Sequence, residues 1–339
     1  MRIVHVSNFT LRRDGQRFYG TEYKLNNGLT RLGHNVFNFC DRDVAAEYLF
    51  GIREAGRGHA NRKLKAVCDA VRPELLLLGH ASLILPETIR AIRSACPGVR
   101  IAHWNCDSLS FSTGNLELLK AMSPVVDATF VTTAGDALTA ISAEGGRVTY
   151  MPNPVDSSIE RGRAFDCADP EFDLVFAGSA DPERIALCER IRLEMPDLRF
   201  EIRGMMDRPA VHGAELISLL GRSRMGLALS RPNDACLYAS DRMAQLMGNG
   251  VLTFVDHRAG FDALFGADEL VPFNGADDLI AKLRHFGARD DQCRETARRG
   301  WQKVHGLFSE TLVAKWIVET TFRLPLSESY AWPTLVYEG

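Results

Sequence analysis

The stretch Leu237–Asp256, LYASDRMAQLMGNGVLTFVD, holds the residues best suited to chemistry. Ser240 and Asp241 precede a helical pattern, and either suits an N-cap because a short side-chain oxygen accepts from unpaired first-turn N–H groups. Met243, Leu246 and Met247 recur at i, i+3 and i+4, one apolar face. Gly248 and Gly250 end the helix and turn the chain into an apolar strand, Val251–Val255. A helix opening from the loop beyond a strand at Met225–Leu229 is a ready anion site, since N–H groups and dipole point the same way. Arg242, in its first turn, has the wrong sign for that dipole. It reads either as an exposed arginine on a surface helix or as a group placed to grip a phosphate.

The chain that must position these residues has 339 of them, a length for two domains rather than one core. It is 46% hydrophobic and 24% charged, with mean hydropathy −0.10, the profile of a globular protein. A net charge of −3 and pI near 6.3 argue against nucleic acid as a partner. No apolar run approaches the roughly 20 residues of a membrane span. The opening Met-Arg-Ile-Val-His-Val reads as a strand and not as a signal peptide. The 8 cysteines are scattered without a C-x-x-C pair, which points to reduced thiols in a cytoplasmic setting.

Strands alternate with helices along the first half. The strands are Ile3–Val6, Val36–Phe39, Leu75–Leu78, Arg100–Trp104, Thr129–Thr132 and Val148–Met151. Helices carry Leu25, Leu29 and Leu32, then span Asn61–Val71 and Pro86–Ser94. Leu75–Leu78 is wholly apolar, as a strand covered on both faces must be. Met151-Pro152-Asn153-Pro154 breaks the pattern and reads as an interdomain connection. Alternation then restarts. The strands are Leu174–Ala177, Arg199–Arg203, Met225–Leu229, Val251–Val255 and Leu270–Val271. The helices are Pro182–Leu193, Asp277–Phe286, Asp291–His305 and, last, Thr311–Phe322. The fold class is therefore α/β, two Rossmann-like doubly wound parallel sheets, with domains at 1–153 and 154–308 and a returning segment at 309–339. Two such sheets facing one another place a ligand cleft between the carboxyl ends of their strands.

The first strand–helix loop lacks G-x-G-x-x-G, which counts against an ordinary NAD enzyme. It ends instead in GTEYKLNNGLTRLGHNV, similar to the "GG-x-E … GH-x-V" opening of GT-B glycosyltransferases. Met151–Asp156, MPNPVD, resembles their "PNGVD" junction. Gly178 through Arg184 and Ser240-Asp241-Arg242 through Gly250 resemble motifs of the group-1 donor domain, in particular its spore-maturation, CgeB-type branch. The resemblance spans nearly the whole chain. It implies transfer of a sugar from a nucleotide-activated donor to an acceptor hydroxyl, independent of metal and without a cofactor, in a GT-B architecture whose last helix crosses back to the first domain. Partners would be the nucleotide-sugar and a glycan, lipid-linked or protein acceptor, with peripheral membrane contact open to the basic loop of Arg12, Arg13 and Arg17.

The resemblance also distributes roles. A diphosphate leaving group gains charge as the glycosidic bond breaks and needs fixed positive charge and N–H donors. Arg184 and Arg242 are implied for this, with the backbone of Gly178 and Ser179 and the turn at Ser240 and Asp241. Gly20 and Thr21 would let the other domain approach the donor, or simply cap a helix. The family's E-x(7)-E pair is altered to Leu237 and Gln245. An amide oxygen still accepts from ribose hydroxyls, but without charge, so a catalytically silent nucleotide-sugar-binding relative is the alternative. For an inverting reaction the base candidates are Asp107 and His80, each just past a strand, where either also fits a local cap. His103 and Trp104 lie within a strand and read as core, with Trp104 also fitting a sugar platform. Asp41-Arg42-Asp43 is no metal motif but the end of the second strand, and no His, Cys or carboxylate spacing marks a metal site.

Overall fold

The computed structural model describes residues 1–9, 14–48, 54–109 and 113–339. The chain divides into two compact units. One comprises Met1–Gly15, Gly20–Pro154 and Glu310–Gly339, the other Val155–Ser309 with Gln16–Tyr19.

In the first unit the order is β1 (Arg2–Val6), α1 (Thr21–Arg31), β2 (Asn35–Phe39), α2 (Asp41–Tyr48), α3 (Arg57–Val71), β3 (Leu75–Leu78), α4 (Pro86–Ala95), β4 (Arg100–Asn105), α5 (Thr113–Met122), β5 (Ala128–Val131), α6 (Asp136–Ser142) and β6 (Arg147–Tyr150). The second unit follows with β7 (Phe172–Ala177), α7 (Pro182–Glu194), β8 (Phe200–Arg203), α8 (Gly213–Gly221), β9 (Ser223–Leu227), α9 (Arg242–Gly248), β10 (Leu252–Asp256), β11 (Val271–Phe273), α10 (Gly275–Gly287) and α11 (Asp290–Leu307). The chain then returns to the first unit as α12 (Glu310–Phe322) and β12 (Val336–Glu338).

The first sheet runs β12-β6-β5-β4-β3-β1-β2, parallel except for β12, which pairs antiparallel with β6. The second runs β11-β10-β9-β7-β8, parallel throughout. Leu75–Leu78 forms β3 with every side chain buried, the consequence of helices on both faces. The second core gathers Leu174, Phe176, Ile191, Ile202, Met225 and Phe254. The order reverses between β1 and β3 in one sheet and between β7 and β9 in the other. Strand carboxyl ends at such switch points are where doubly wound sheets receive ligands.

The returning helix is tied to the first unit. Arg31 of α1 pairs with Glu310, and the buried Trp316 donates its indole N–H to the Tyr150 carbonyl at 3.1 Å. The two points where the chain passes between units lie side by side within the second, with Val155 bridging Ser309. There the MPNPVD segment earns a local role. Asp156 is fully buried and its carboxylate caps a turn, accepting from the Ser158 N–H and hydroxyl at 2.8 and 2.7 Å.

Three local expectations are corrected. Asp41 does not end the second strand but opens α2. Its buried carboxylate accepts the Leu83 N–H at 3.0 Å, and burial pushes its pKa up to about 6 against that hydrogen bond. The strand expected at Met225–Leu229 ends at Leu227, with the Ala228 N–H still donating to the Phe254 carbonyl at 2.9 Å and the Leu229 carbonyl accepting from arginine side chains instead of a strand. The third concerns Asp241. It stands at the N-cap of α9, but its side chain caps no backbone N–H. Its Oδ2 accepts from the Gln245 side chain at 2.7 Å, and the helix is only 7 residues long, so no anion site is built on its terminus. The turn after it is as expected, with Gly250 at φ 76° leading into β10.

The first core also holds two buried imidazoles. His103 is core, as its place in a strand implies, and Trp104 is fully buried, which removes it as a sugar platform. Trp104 donates its indole N–H to His5 Nε2 at 3.1 Å, so that nitrogen must be unprotonated. Burial lowers the His5 pKa to about 3 and that of His103 to about 4. In the unfolded chain both take a proton near pH 6.5. The unfolded state therefore binds more protons below that pH, and the histidines destabilise the fold as pH falls. Asp41 works oppositely, because its raised pKa makes the folded state bind the extra proton. Between about pH 6 and 4 these three groups leave a balance of one histidine, a loss of about 1.4 kcal/mol per pH unit, and the lowered pKa values of His34, Asp127 and Asp173 add to it in the same direction. Urea midpoints across that window should show this slope, and His5→Gln should flatten it. An unchanged slope in that variant would show that His5 is not buried neutral.

Candidate functional site

Arg184 and Arg242 come together at the switch point of the second sheet. Arg184 projects from the first turn of α7, a helix that Asp181 starts by accepting the Glu183 N–H at 3.0 Å with Pro182 in the first turn. Arg242 begins α9. Both guanidinium groups reach the Leu229 carbonyl, each at 2.6 Å. Arg184 also donates to the Ser179 carbonyl at 3.1 Å, and Arg242 to the Ala177 carbonyl at 2.7 Å and the Ser240 hydroxyl at 3.2 Å. Phe176 lies beneath both, its ring centre 4.9 Å from the Arg242 guanidinium carbon and 5.6 Å from that of Arg184. Arg184 is 3% exposed, Arg242 half-buried.

The partners of this pair are uncharged. Among the described residues no carboxylate stands within ion-pair distance of either guanidinium. Nearby Arg258 shows the contrast, held by Asp256 at 2.8 Å and Glu183 at 3.2 Å, which raise its pKa. Desolvation, reinforced by the neighbouring arginines, lowers Arg184 to about 10 and Arg242 to about 9. Both are still cationic at neutral pH, so two like charges are kept close together, partly out of water, with Asp181 and Asp241 acting on them only from beyond ion-pair contact. That arrangement costs free energy unless an anion completes it. A buried Arg184 Nε with no hydrogen-bond partner marks unused donor capacity. A cavity of about 490 Å³ opens beside it, lined by Arg184, Leu229, Asn233, Asp256, Arg258 and Asn274 among others.

The other expected donor residues fall around this pair. Gly178 leaves no room for a side chain, since a Cβ there would sit 2.4 Å from Arg242 Nη2. Ser179 is exposed and contributes its carbonyl. Ser240 receives the Arg242 guanidinium, while its own N–H donates to Ser230 Oγ at 3.1 Å. Gln245 is buried beside Arg242. Its amide nitrogen is used by Asp241, which leaves the oxygen as the acceptor. Leu237, where the family pattern has glutamate, is buried at φ 49°. Gly20 and Thr21 lie in the first unit at the start of α1, with Gly20 at the N-cap and the Thr21 hydroxyl buried without a partner. Of the basic loop, Arg17 is exposed, and Arg12 and Arg13 lie outside the described residues. Sequence reasoning missed Phe176 and the Leu229 carbonyl. A core phenylalanine and a backbone oxygen carry no signal of their own.

His80 and Asp107 meet in the first unit, past the carboxyl ends of β3 and β4. His80 Nε2 lies 3.4 Å from Asp107 Oδ2 and 3.5 Å from Cys106 Sγ. The adjacent pairing of the two strands, Leu78 opposite His103, brings together residues 26 apart in sequence.

Residues 183–311 match the family model described as glycosyl transferase-like, a match confined to less than half of the chain. Three solved structures align over nearly its whole length. The HepE protein of Anabaena, in complex with UDP and glucose, is 11% identical with TM-score 0.62 over 96% of this chain and 100% of that one. Sucrose-phosphate synthase from Thermosynechococcus elongatus is 13% identical with TM-score 0.63 over 95% and 98%. AviGT4, a glycosyltransferase involved in avilamycin A biosynthesis, is 17% identical with TM-score 0.60 over 95% and 97%. The chain has the GT-B fold. Both Rossmann-like units and the returning helix α12 belong to that architecture. A search of curated proteins found no match, and nothing distinguishes the CgeB-type branch within it. Among the described residues no helix of this GT-B chain is long and apolar enough to cross a membrane.

Proposed function

We propose that this protein is a glycosyltransferase that binds a nucleoside-diphosphate sugar through the Arg184–Arg242 pair. The observation that carries the reading is two guanidinium groups at a sheet switch point, fixed by the Ala177, Ser179 and Leu229 carbonyls and, among the described residues, in ion-pair contact with no carboxylate. In the reaction the bond from the anomeric carbon to the β-phosphate oxygen breaks and the acceptor oxygen bonds that carbon. The acceptor proton goes to a base, and the nucleoside diphosphate leaves with added negative charge. Fixed cations stabilise that charge more in the transition state than in the ground state, the condition for catalysis. Arginine here does for the diphosphate what a divalent ion does in other sites. The glycosyl transferase-like match over 183–311, which contains both arginines, supports the reading, as does the UDP bound by the HepE relative of like fold.

Gln245 and Leu237, where the family pattern has two glutamates, favour one other reading, a nucleotide-sugar binder without turnover. Nucleotide-induced melting shifts, followed by product analysis with UDP-, GDP- and TDP-sugars and a mixed acceptor extract, separate the two. A glycosyltransferase should show a shift with at least one nucleoside diphosphate and release that diphosphate from its sugar. A shift without release supports the silent binder. No shift with any nucleotide overturns both.

A further inference from the structure

We infer that His80, Cys106 and Asp107 form a zinc site in the first unit, independent of the nucleotide reading. The three side chains offer an imidazole nitrogen, a thiol sulfur and a carboxylate oxygen, all within 4.8 Å of one another. This is the mixed donor set that zinc takes, and each donor type has a characteristic bond length. Zinc–sulfur bonds of about 2.3 Å, zinc–nitrogen of about 2.0–2.1 Å and zinc–oxygen of about 2.0–2.2 Å in a tetrahedron set the donor spacings. They place nitrogen and sulfur about 3.5 Å apart, and nitrogen and oxygen about 3.3–3.5 Å apart. The observed separations are 3.5 Å from His80 Nε2 to Cys106 Sγ and 3.4 Å from His80 Nε2 to Asp107 Oδ2.

The arrangement does not suit a nucleophilic thiol. In a Cys–His–Asp relay the thiol and the carboxylate bond opposite nitrogens of the ring, so that one orients while the other accepts the proton. Here both face the same Nε2, which leaves them surrounding one point in space. His80 follows β3 and Cys106 follows β4, hydrogen-bonded neighbours in the sheet. The His80 ring packs against Trp104 at 5.1 Å between centroids, and Trp104 is buried and held by His5. Asp107 is set by its N–H donating to Asn105 Oδ1 at 2.8 Å. Its side chain is 55% exposed against 19% for His80, so the fourth position opens to solvent and would take water or an alcohol oxygen. An imidazole and a carboxylate bound to zinc have given up the lone pairs that a general base needs, so His80 and Asp107 cannot both hold the ion and serve as the base.

Cobalt(II) titration of the full chain tests this, with zinc then added in competition. A single equivalent should bring a near-ultraviolet thiolate-to-cobalt charge-transfer band and the strong visible bands of a tetrahedral ion, both erased by one equivalent of zinc. Cys106→Ser should abolish the charge-transfer band. His80→Gln should weaken binding by more than the about 10–100-fold typical of outer-shell changes alone. Cys236→Ser, at an exposed cysteine, should leave the spectrum unchanged. Circular dichroism confirms that each variant is folded, and if Cys106→Ser is not, Asp107→Asn takes its place with the loss of affinity as the readout. No charge-transfer band in the unmodified chain overturns the inference. So does a band that survives in folded Cys106→Ser, or one that Cys236→Ser removes. The assay uses no nucleotide, and its outcome is separate from that of the donor proposal.

Discussion

Arg242→Met should weaken binding of a nucleoside diphosphate by about 10–150-fold, the loss of about 1.5–3 kcal/mol for a hydrogen bond to a charged group. The affinity lost should shrink as salt rises, because part of it is attraction between charges that the solvent partly reaches. Arg242→Lys should recover only part. A lysine keeps the charge but lacks the planar fork that holds the Ala177 and Leu229 carbonyls together over the Phe176 ring. Arg184→Met should act similarly, and the double variant by less than the sum, since both guanidinium groups are held by the Leu229 carbonyl and removing one loosens the placing of the other. Calorimetric titration checks all four. Equal affinity in Arg242→Met, with the fold retained, would remove this residue from the site and leave the proposed function without its main support.

The second large effect is expected from the ring beneath the pair. Phe176 is fully buried in the core of the second unit, so Phe176→Ala should cost about 3–5 kcal/mol of stability, the range for a large aromatic removed without collapse of the space. Phe176→Leu should keep the fold at a far smaller cost, yet it takes away the face on which both guanidinium groups lie. Nucleotide affinity should then fall by severalfold while the urea midpoint moves little. If the leucine variant binds as tightly as the parent, the ring serves packing alone and the carbonyls suffice to hold the arginines.

Much of the architecture was open to reading because it rests on local patterns. The all-leucine run at 75–78 is β3, since only a doubly covered strand can be apolar at every position. The prolines at 152 and 154 lie where the chain passes from one unit to the other. Arg242 stood out by being cationic in the first turn of a helix, a misfit that the structure resolves by sending its side chain to strand ends. The strand β12 left no such trace. It has 3 residues and pairs antiparallel at a sheet edge, held there by partners far away in sequence such as Arg147 on Glu338 and Thr149 on the Leu335 carbonyl.

The order of strands and helices, the two-unit plan and the identity of the charged candidates were therefore set by residue types and their periods. Tertiary structure alone decided which groups meet. A carbonyl that receives two arginines looks in sequence like any other leucine, and a histidine 26 residues from a cysteine carries no sign that parallel strands will set them side by side. Short-range preferences are written in neighbouring residues, whereas the placing of ligands and counter-charges follows from sheet register, which only the folded chain possesses.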